Sequence, residues 1–338
     1  MRTGKISESV LKRSVLRQIK NNRKEVIKGA GIGEDCAFLS WEYSGMEERE
    51  GRSVIATAIE TVALPVKNAA YLAIMAAANN LAASGAAPVA VSLSLTLPEG
   101  AEEPYLKELM RQAENCCRAL DIQITGGHTE VSSVVCSPVV TAVAIGKAFE
   151  DFLGCSSEDS INDLDVVISK WIGLEGTSII AREKEAELLG RYPIRLISDA
   201  QEQDGYLSVA SEAAIALKSG VYAMHDVRNG GVFGALWEIS QKIGVGLSID
   251  LKKIPVKQET IEICEFYHLN PYELLSGGAL IMVTADGAGL VKSLAAEGIV
   301  SSIIGSTNKS NDKIIINQDE TRYLGPAAPD EILKIAFI

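Results

Sequence analysis

Asn79-Asn80-Leu81-Ala82-Ala83-Ser84-Gly85-Ala86-Ala87-Pro88 marks the place where an alanine-rich helix must stop and a strand begin. Upstream, the run from about Asn68 to Ser84 reads as a helix, with Ala73, Ala76, Ala77, Asn80 and Ser84 on one stripe. Gly85 stands at the C′ position, and Pro88 shortly beyond cannot continue the helix. Downstream, Val89, Val91, Leu93, Leu95 and Leu97 alternate with Ala90, Ser92, Ser94 and Thr96, the period of a half-buried strand. Side chains this small on the helical stripe imply that a backbone or a ligand packs very close. Two adjacent Asn in such a helix would cost roughly 1–3 kcal/mol each if unpaired. They either serve a ligand or cap a neighbouring strand.

Working outward, Ser53 to Ile59 reads as a strand ending in Glu60-Thr61, and Glu102 to Leu120 as an amphipathic helix. Ile122 to Thr125 and Val134 to Ile145 read as strands around a turn at Gly126-Gly127. A polar stretch from about Lys147 to Asp163 is the expected linker, so the domains are expected at residues 1–150 and 151–338. The second domain opens with a strand at Asp165–Ser169, followed by helices at about Gly176–Leu189 and Gly205–Lys218 and a strand at Val221–Met224. A turn at His225–Gly231 leads to a helix through about Lys242, with strands at Ala279–Thr284, Val300–Gly305 and Lys313–Ile316. Met1 to Arg23 reads as an amphipathic helix with Val10, Leu11, Val15, Leu16 and Ile19 on one side, and Met46 to Arg52 as a solvated hairpin tip. The fold class is α/β (α+β).

The net charge of −12 and the lack of any Lys/Arg cluster argue against a nucleic-acid or anionic-membrane surface. A hydrophobic fraction of 47% over 338 residues is ample for two cores. Ala69 to Ala83 is too short and too polar at its end to span a bilayer, so a cytoplasmic residence is expected, with no membrane contact. Six cysteines, Cys36, Cys116, Cys117, Cys136, Cys155 and Cys264, show no CxxC spacing and read as free buried thiols.

Three polar motifs carry the chemistry. In Gly31-Ile32-Gly33-Glu34-Asp35-Cys36-Ala37 the glycines precede a strand rather than a helix, so the dinucleotide reading fails, and no GxxxxGK[ST] exists. An acid pair after glycines suits Mg²⁺ with phosphate over backbone amides, or is a plain surface turn. Gly126-Gly127-His128-Thr129-Glu130 offers backbone donors beside an imidazole and a carboxylate, without a third zinc ligand at diagnostic spacing. His225-Asp226 before Gly230-Gly231 would bring amides and a helix dipole to an anion, or leave His225 as a core histidine. His268 before Asn270-Pro271 reads as a structural turn.

In this order the motifs resemble the superfamily of aminoimidazole ribonucleotide (AIR) synthetase, selenophosphate synthetase, thiamine-monophosphate kinase and the hydrogenase maturation protein HypE. Gly33-Glu34-Asp35-Cys36-Ala37 is similar to the family's Gly-Asp-Asp-Ala turn, and Asn79 through Pro88 to its Asn-Asp-Leu-Ala-x-x-Gly-Ala-x-Pro helix end. Gly126–Glu130, His225–Gly231 and Gly173-Leu174-Glu175-Gly176-Thr177 are similar to the HypE-like branch. The resemblance implies a two-domain PurM-like fold whose N-terminal halves pair as a homodimer to close a β-barrel. It also implies ATP and Mg as cofactors and phosphoryl transfer to an acceptor, small molecule or protein, that the residues do not name. On that basis Asp35, Glu60 and Glu130 are expected metal ligands. Gly31, Gly33, Glu34, Asn79, Asn80, Gly126, Gly127, His128, Asp226 and Arg228 would hold the nucleotide, with Lys170 and His225 as catalytic candidates.

Departures from the family pattern are informative. Asn80 and Glu60 stand where Asp is usual, and Arg228-Asn229 where Thr and often an acid follow the Asp. HypE proper ends in a cysteine that receives a carbamoyl group, whereas this sequence closes Leu333-Lys334-Ile335-Ala336-Phe337-Ile338, so that reaction is not expected. A HypE-like ATP-dependent enzyme is therefore set beside a catalytically weakened nucleotide-binding or assembly protein of the same fold. Thiamine-monophosphate kinase is the third reading, poorly suited by the His128 and His225 motifs.

Overall fold

A computed structural model describes residues 8–10, 12, 16, 26–28, 31–39, 53–149 and 163–337. The expected N-terminal helix beyond Glu8–Val10, the hairpin tip at 46–52 and most of the linker lie outside the described residues. The chain divides into two compact units. Among the described residues, the N-terminal unit takes 26–28, 35–39 and 53–149. The C-terminal unit takes 31–34 and 163–336 together with the short helix α1 (Glu8–Val10).

The N-terminal unit is one mixed sheet with two helices on one face. Its strands are β1 (Val26–Lys28), β2 (Ala37–Leu39), β3 (Ser53–Val62), β4 (Ala87–Pro98), β5 (Gln123–Ser132) and β6 (Val139–Phe149), ordered β1-β2-β3-β6-β4-β5. Helices α2 (Ala69–Ala83) and α3 (Glu103–Leu120) pack together, with α2 lying on β3, β6 and β4. The stop of α2 is the one its sequence calls for. Gly85, at φ 77°, donates to the Ala82 carbonyl (2.9 Å) while Ala86 donates to Leu81 (2.9 Å). These paired bonds satisfy the last carbonyls of the helix, and a left-handed C′ residue is nearly free only for glycine.

Strand β4 buries Val91, Leu93, Leu95 and Leu97, as its alternation predicts, but Val89 is exposed. The pairing of β4 with β6 slips between Pro88 and Ala90, and the extra residue turns outward. The expected turn at Gly126-Gly127 is corrected: β5 runs straight through both glycines, parallel to β4, and the reversal comes at residues 133–138. Thr125 is skipped in the register, and Gly127 pairs with Leu93 of the neighbouring strand β4. A Cβ on Gly127 would lie 1.9 Å from the Leu93 carbonyl oxygen. Periodicity cannot distinguish such a close strand approach from a turn.

The C-terminal unit carries β7 (Asp165–Ser169), β8 (Ala223–Val227), β9 (Gly246–Asp250), β10 (Ala279–Thr284), β11 (Ser301–Asn308), β12 (Lys313–Asn317) and β13 (Glu320–Tyr323). They form a sheet ordered β13-β12-β9-β11-β7-β10-β8. Its pairings are antiparallel except β12 with β9, so the unit is α+β rather than a doubly wound parallel sheet. The helices are α4 (Leu174–Glu183), α5 (Glu185–Leu188), α6 (Ile194–Gln201), α7 (Ala210–Lys218), α8 (Gly231–Ile243), α9 (Gln258–Phe266) and α10 (Gly287–Ala296). Val166, Ile168, Val232, Leu236, Ile281 and Ile304 are fully buried members of one core cluster between strands and helices. β7 and β8 both run antiparallel to β10, so their C-terminal ends and the start of β10 share one end of the sheet. His225 and Asp226 belong to β8 itself, which corrects the expectation that they open a turn; the turn begins at Arg228.

Among the described cysteines Cys36, Cys116, Cys117 and Cys264 are buried and free, as expected, while Cys136 is exposed. Burial pushes the Cys116 and Cys264 thiols up to about 12 and Cys117 to about 11, which leaves them inert thiols at neutral pH. No helix among the described residues is long and apolar enough to cross a membrane.

Gly127→Ala is expected to lower the unfolding free energy by about 3 kcal/mol or more, because the methyl meets backbone that cannot swing away. Urea denaturation measures it. A variant as stable as the parent would show that β5 does not lie against Leu93.

Candidate functional site

In the N-terminal unit three sequence-distant segments converge at the end of α2. The Asn80 amide nitrogen donates to Glu60 Oε1 at 2.9 Å, and the Cys36 thiol donates to the Asn80 carbonyl at 3.2 Å. Asn80 reaches this point because α2 is lined with alanine where it meets the sheet: Ala73, Ala76 and Ala77 are all buried. Asn79 and Asn80 are themselves 4% and 8% exposed, so their amides need partners inside the fold. Asp35 adjoins Cys36 and belongs to the same unit. The carboxylates of Asp35 and Glu60 and the side-chain oxygen of Asn80 are each hard oxygen donors, the kind a divalent cation accepts. In donor type these residues fit Mg²⁺.

Glu130 and His128 do not join them. Glu60 registers with Ala142, Ala142 with Leu93 and Leu93 with Gly127, a row on the face covered by the helices. His128 and Glu130 register with Ser94 and Thr96, which point to the open face. Three strand spacings, about 14 Å, also separate β3 from β5. Within one chain Glu130 therefore cannot complete a metal site with Glu60, and that expectation is corrected by side-chain parity. His128 Nε2 lies 3.5 Å from Glu130 Oε2, and both side chains are largely exposed. Gly126 and Gly127 lie within an exposed edge strand rather than in a phosphate-binding loop.

Among residues 31–34, assigned to the C-terminal unit, Gly33 has φ 72° and lies on α8. A Cβ there would be 2.5 Å from the Glu238 carbonyl. Its glycine requirement thus has a packing origin, whatever its amide does. A Cβ on Gly31 would lie 2.8 Å from Glu34 Cγ, part of a flexible side chain.

Elsewhere in that unit the expected charges are tied to partners. Lys170, itself at φ 55°, gives its ammonium to the Tyr206 carbonyl (2.8 Å), the Ser208 carbonyl (2.5 Å) and Glu212 Oε1 (2.6 Å). Burial pulls its pKa down and Glu212 opposes that shift. All three ammonium donors are used, so Lys170 secures the 206–212 segment. Its expected role at an acceptor is not supported by this geometry. Arg228 makes two bonds to the buried Glu175, Nε to Oε2 at 3.2 Å and Nη2 to Oε1 at 3.1 Å, and is itself half-buried. A guanidinium engaged this way is held, not poised over a phosphate. His225 is buried on β8 with Nε2 3.1 Å from Glu238 Oε2, and Asp226 beside it is 7% exposed.

Glu238, Glu175 and Asp330 are the partners that sequence reasoning missed. Glu238 lies thirteen positions after His225, on a helix whose packing against β8 is a tertiary fact. Glu175 was quoted within a motif but could be matched to Arg228 only across 53 residues. Asp330 accepts the Gly230 amide at 2.7 Å from a hundred residues away.

Residues 33–148 match the family model for the AIR synthase related protein N-terminal domain, and residues 164–317 that for the C-terminal domain. The chain belongs to the AIR synthase related family. Its similarity to a putative hydrogenase expression/formation protein of Methanocaldococcus jannaschii is 26% identity over 322 residues, covering 93% of this chain and 91% of that one. Carbamoyl dehydratase HypE of Rhodobacter capsulatus is 26% identical over 253 residues, covering 73% and 72%. The crystal structure of hydrogenase maturation protein HypE in complex with ATP superposes with a TM-score of 0.68 at 16% identity, over 96% of both chains. This AIR synthase related chain thus has the two-domain HypE fold.

Asn80→Asp would replace the 2.9 Å amide–carboxylate bond with two facing carboxylates. In EDTA at pH 8 the variant is expected to lose about 1–2 kcal/mol of stability, and Mg²⁺ to restore it. Thermal melts with and without Mg²⁺ measure this. Melts indistinguishable from the parent in both conditions would mean that residues 60 and 80 are not neighbours in solution.

Proposed function

We propose that this chain is a HypE-like enzyme that activates an acceptor by phosphoryl transfer from Mg–ATP. The convergence of Cys36, Glu60 and Asn80 in the N-terminal unit carries the reading, because motif residues far apart in sequence meet at oxygen donors suited to Mg²⁺. The names of its relatives and the ATP bound in a HypE structure of the same fold support it. In this reading Asp35 and Glu60 of the N-terminal unit hold the metal; in the C-terminal unit the amides of Gly31 and Gly33 are the phosphate-binding candidates. Asn79 and Asn80 of the N-terminal unit support the nucleotide, and Glu34 is the corresponding candidate in the C-terminal unit. Bound Mg²⁺ supplies charge neutralisation at the phosphates, and the chain's own work is positioning. Within the C-terminal unit, His225, oriented by Glu238, and Asp226 are the candidates for binding the acceptor. A cytoplasmic residence belongs to the same reading.

A second copy of the chain is the proposed partner of the N-terminal sheet. Strand β5 is a ten-residue exposed edge, and the open face carries Ile55 at 42% and Ile59 at 65% exposure. Unpaired edges of this length are normally covered. Sedimentation showing only monomer at micromolar concentration would remove the homodimer from the proposal.

A nucleotide binder with weakened catalysis is the alternative, favoured by the neutral amide at Asn80 and by Arg228 being held on Glu175. Saturating ATP with Mg²⁺ is expected to raise stability by about 2.7 kcal/mol at a hundred times Kd, and ATP with EDTA to leave it unchanged. No thermal shift at millimolar Mg–ATP would end both readings. Binding without turnover of γ-labelled ATP in a cell extract, with Mg²⁺ affinity sharply improved by Asn80→Asp, selects the binder.

A further inference from the structure

Past the last strand, the chain returns to the end of the C-terminal sheet where the loops after β7 and β8 and before β10 gather. The segment Pro329-Asp330-Glu331-Ile332 lies across two of them. Asp330 is 7% exposed, and its Oδ2 accepts the Gly230 amide at 2.7 Å. Its Oδ1 accepts the Leu275 amide at 3.0 Å and the Ile332 amide at 2.9 Å. Glu331 repeats the pattern on the same loop, accepting the Asn270 amide at 3.0 Å while its own amide donates to the Glu273 carbonyl at 3.2 Å. The Arg228 carbonyl in turn accepts Gly231 at 3.1 Å and Ser276 at 3.2 Å. Gly230 and Gly231 both have positive φ, and a Cβ on Gly231 would be 2.4 Å from the Tyr272 carbonyl. The turn after β8 is therefore a left-handed double-glycine bend with little room, and a carboxylate from the C-terminal strap is bonded to its first amide.

We infer that Asp330 is a positioning residue: by binding the Gly230 and Leu275 amides together, the strap fixes the Arg228–Gly231 turn that directly follows Asp226 at the end of β8. Three main-chain donors on one buried carboxylate make an anion nest filled by the chain's own side chain. The helix end that sequence alone would offer to a ligand's phosphate already holds Asp330. The charged group acting on it is Glu175 on α4, and Glu331 adjoins it on the strap. Arg228 is bonded to Glu175 and Lys334 to Glu331. Burial, with Glu175 adding to it, raises the Asp330 pKa to about 6. Because this exceeds the ordinary value, protonation is favoured in the fold, and the anionic clamp is present only above about pH 6. Relevance to catalysis rests on the reading of Asp226 as an acceptor-side group; the clamp itself does not.

Asp330→Asn keeps one acceptor oxygen but sets an amide N–H against another N–H. Amide hydrogen exchange at Gly230 and Leu275 is expected to rise about tenfold or more in this variant, with the interior of β10 unchanged. In the parent, Mg–ATP turnover is expected to fall as pH drops through about 6, a limb absent from the variant, while Mg–ATP affinity stays the same. Unchanged exchange overturns the inference, and so does raised exchange with an unaltered pH profile. Where the variant does not fold, exchange at Gly230 in the parent, corrected for intrinsic chemistry, serves instead and should accelerate below about pH 6. A parent that binds no Mg–ATP defeats the proposed function, and exchange alone then decides the clamp.

Discussion

A buried side-chain amide must be hydrogen-bonded, and it can reach a partner only if the helix carrying it comes close enough to the sheet. Asn80 meets both conditions because α2 is nearly all alanine on its packed face. Gly146, opposite, leaves room for Leu81, whose Cδ1 would be 3.2 Å from any Cβ there. Larger residues on this stripe would push the helix outward and break the bond to Glu60. The arrangement of oxygen donors in the N-terminal unit rests on that close approach.

The C-terminal unit uses a different device at the end of its sheet. Charges are buried there but each is matched: Lys170 with Glu212 and two carbonyls, Arg228 with Glu175, Asp330 with three amides. A buried ion pair adds little net stability over a well-packed apolar one, yet removing one partner is expensive. Such pairs therefore hold loops in one arrangement more than they strengthen the fold. Ser276 extends the network, accepting the Gly173 amide at 2.7 Å and so tying the start of α4 to the same loop.

Parity divides the N-terminal sheet between two tasks. Residues that register with Leu93 face the helices and the Glu60–Asn80 corner, while their neighbours in sequence face outward with Ser92, Ser94 and Thr96. His128 and Glu130 fall in the second group despite their attractive spacing after two glycines. A shift of one residue in register would exchange the two sets. The pairing of β5 with β4 thus decides which polar residues could ever share a ligand.

Much of this was legible in the order of residues. The helix ending at Ser84-Gly85, the alternation from Val91 to Leu97 and the buried strands Asp165–Ser169 and Ala279–Thr284 follow from local periodicity and glycine chemistry. The family was recognisable from its motifs, and Asn80 was marked by the cost of burying an amide. Other features were invisible for a physical reason. Whether Gly126-Gly127 turns or stays extended depends on the Leu93 carbonyl, and whether Lys170 and Arg228 are available depends on Glu212 and Glu175. Asp330 matters only because the chain returns to Gly230. Local sequence governs backbone conformation through neighbours a few residues away. The partner of a charge and the face of a strand are instead set by contacts between segments tens to hundreds of residues apart, and only folding brings those segments together.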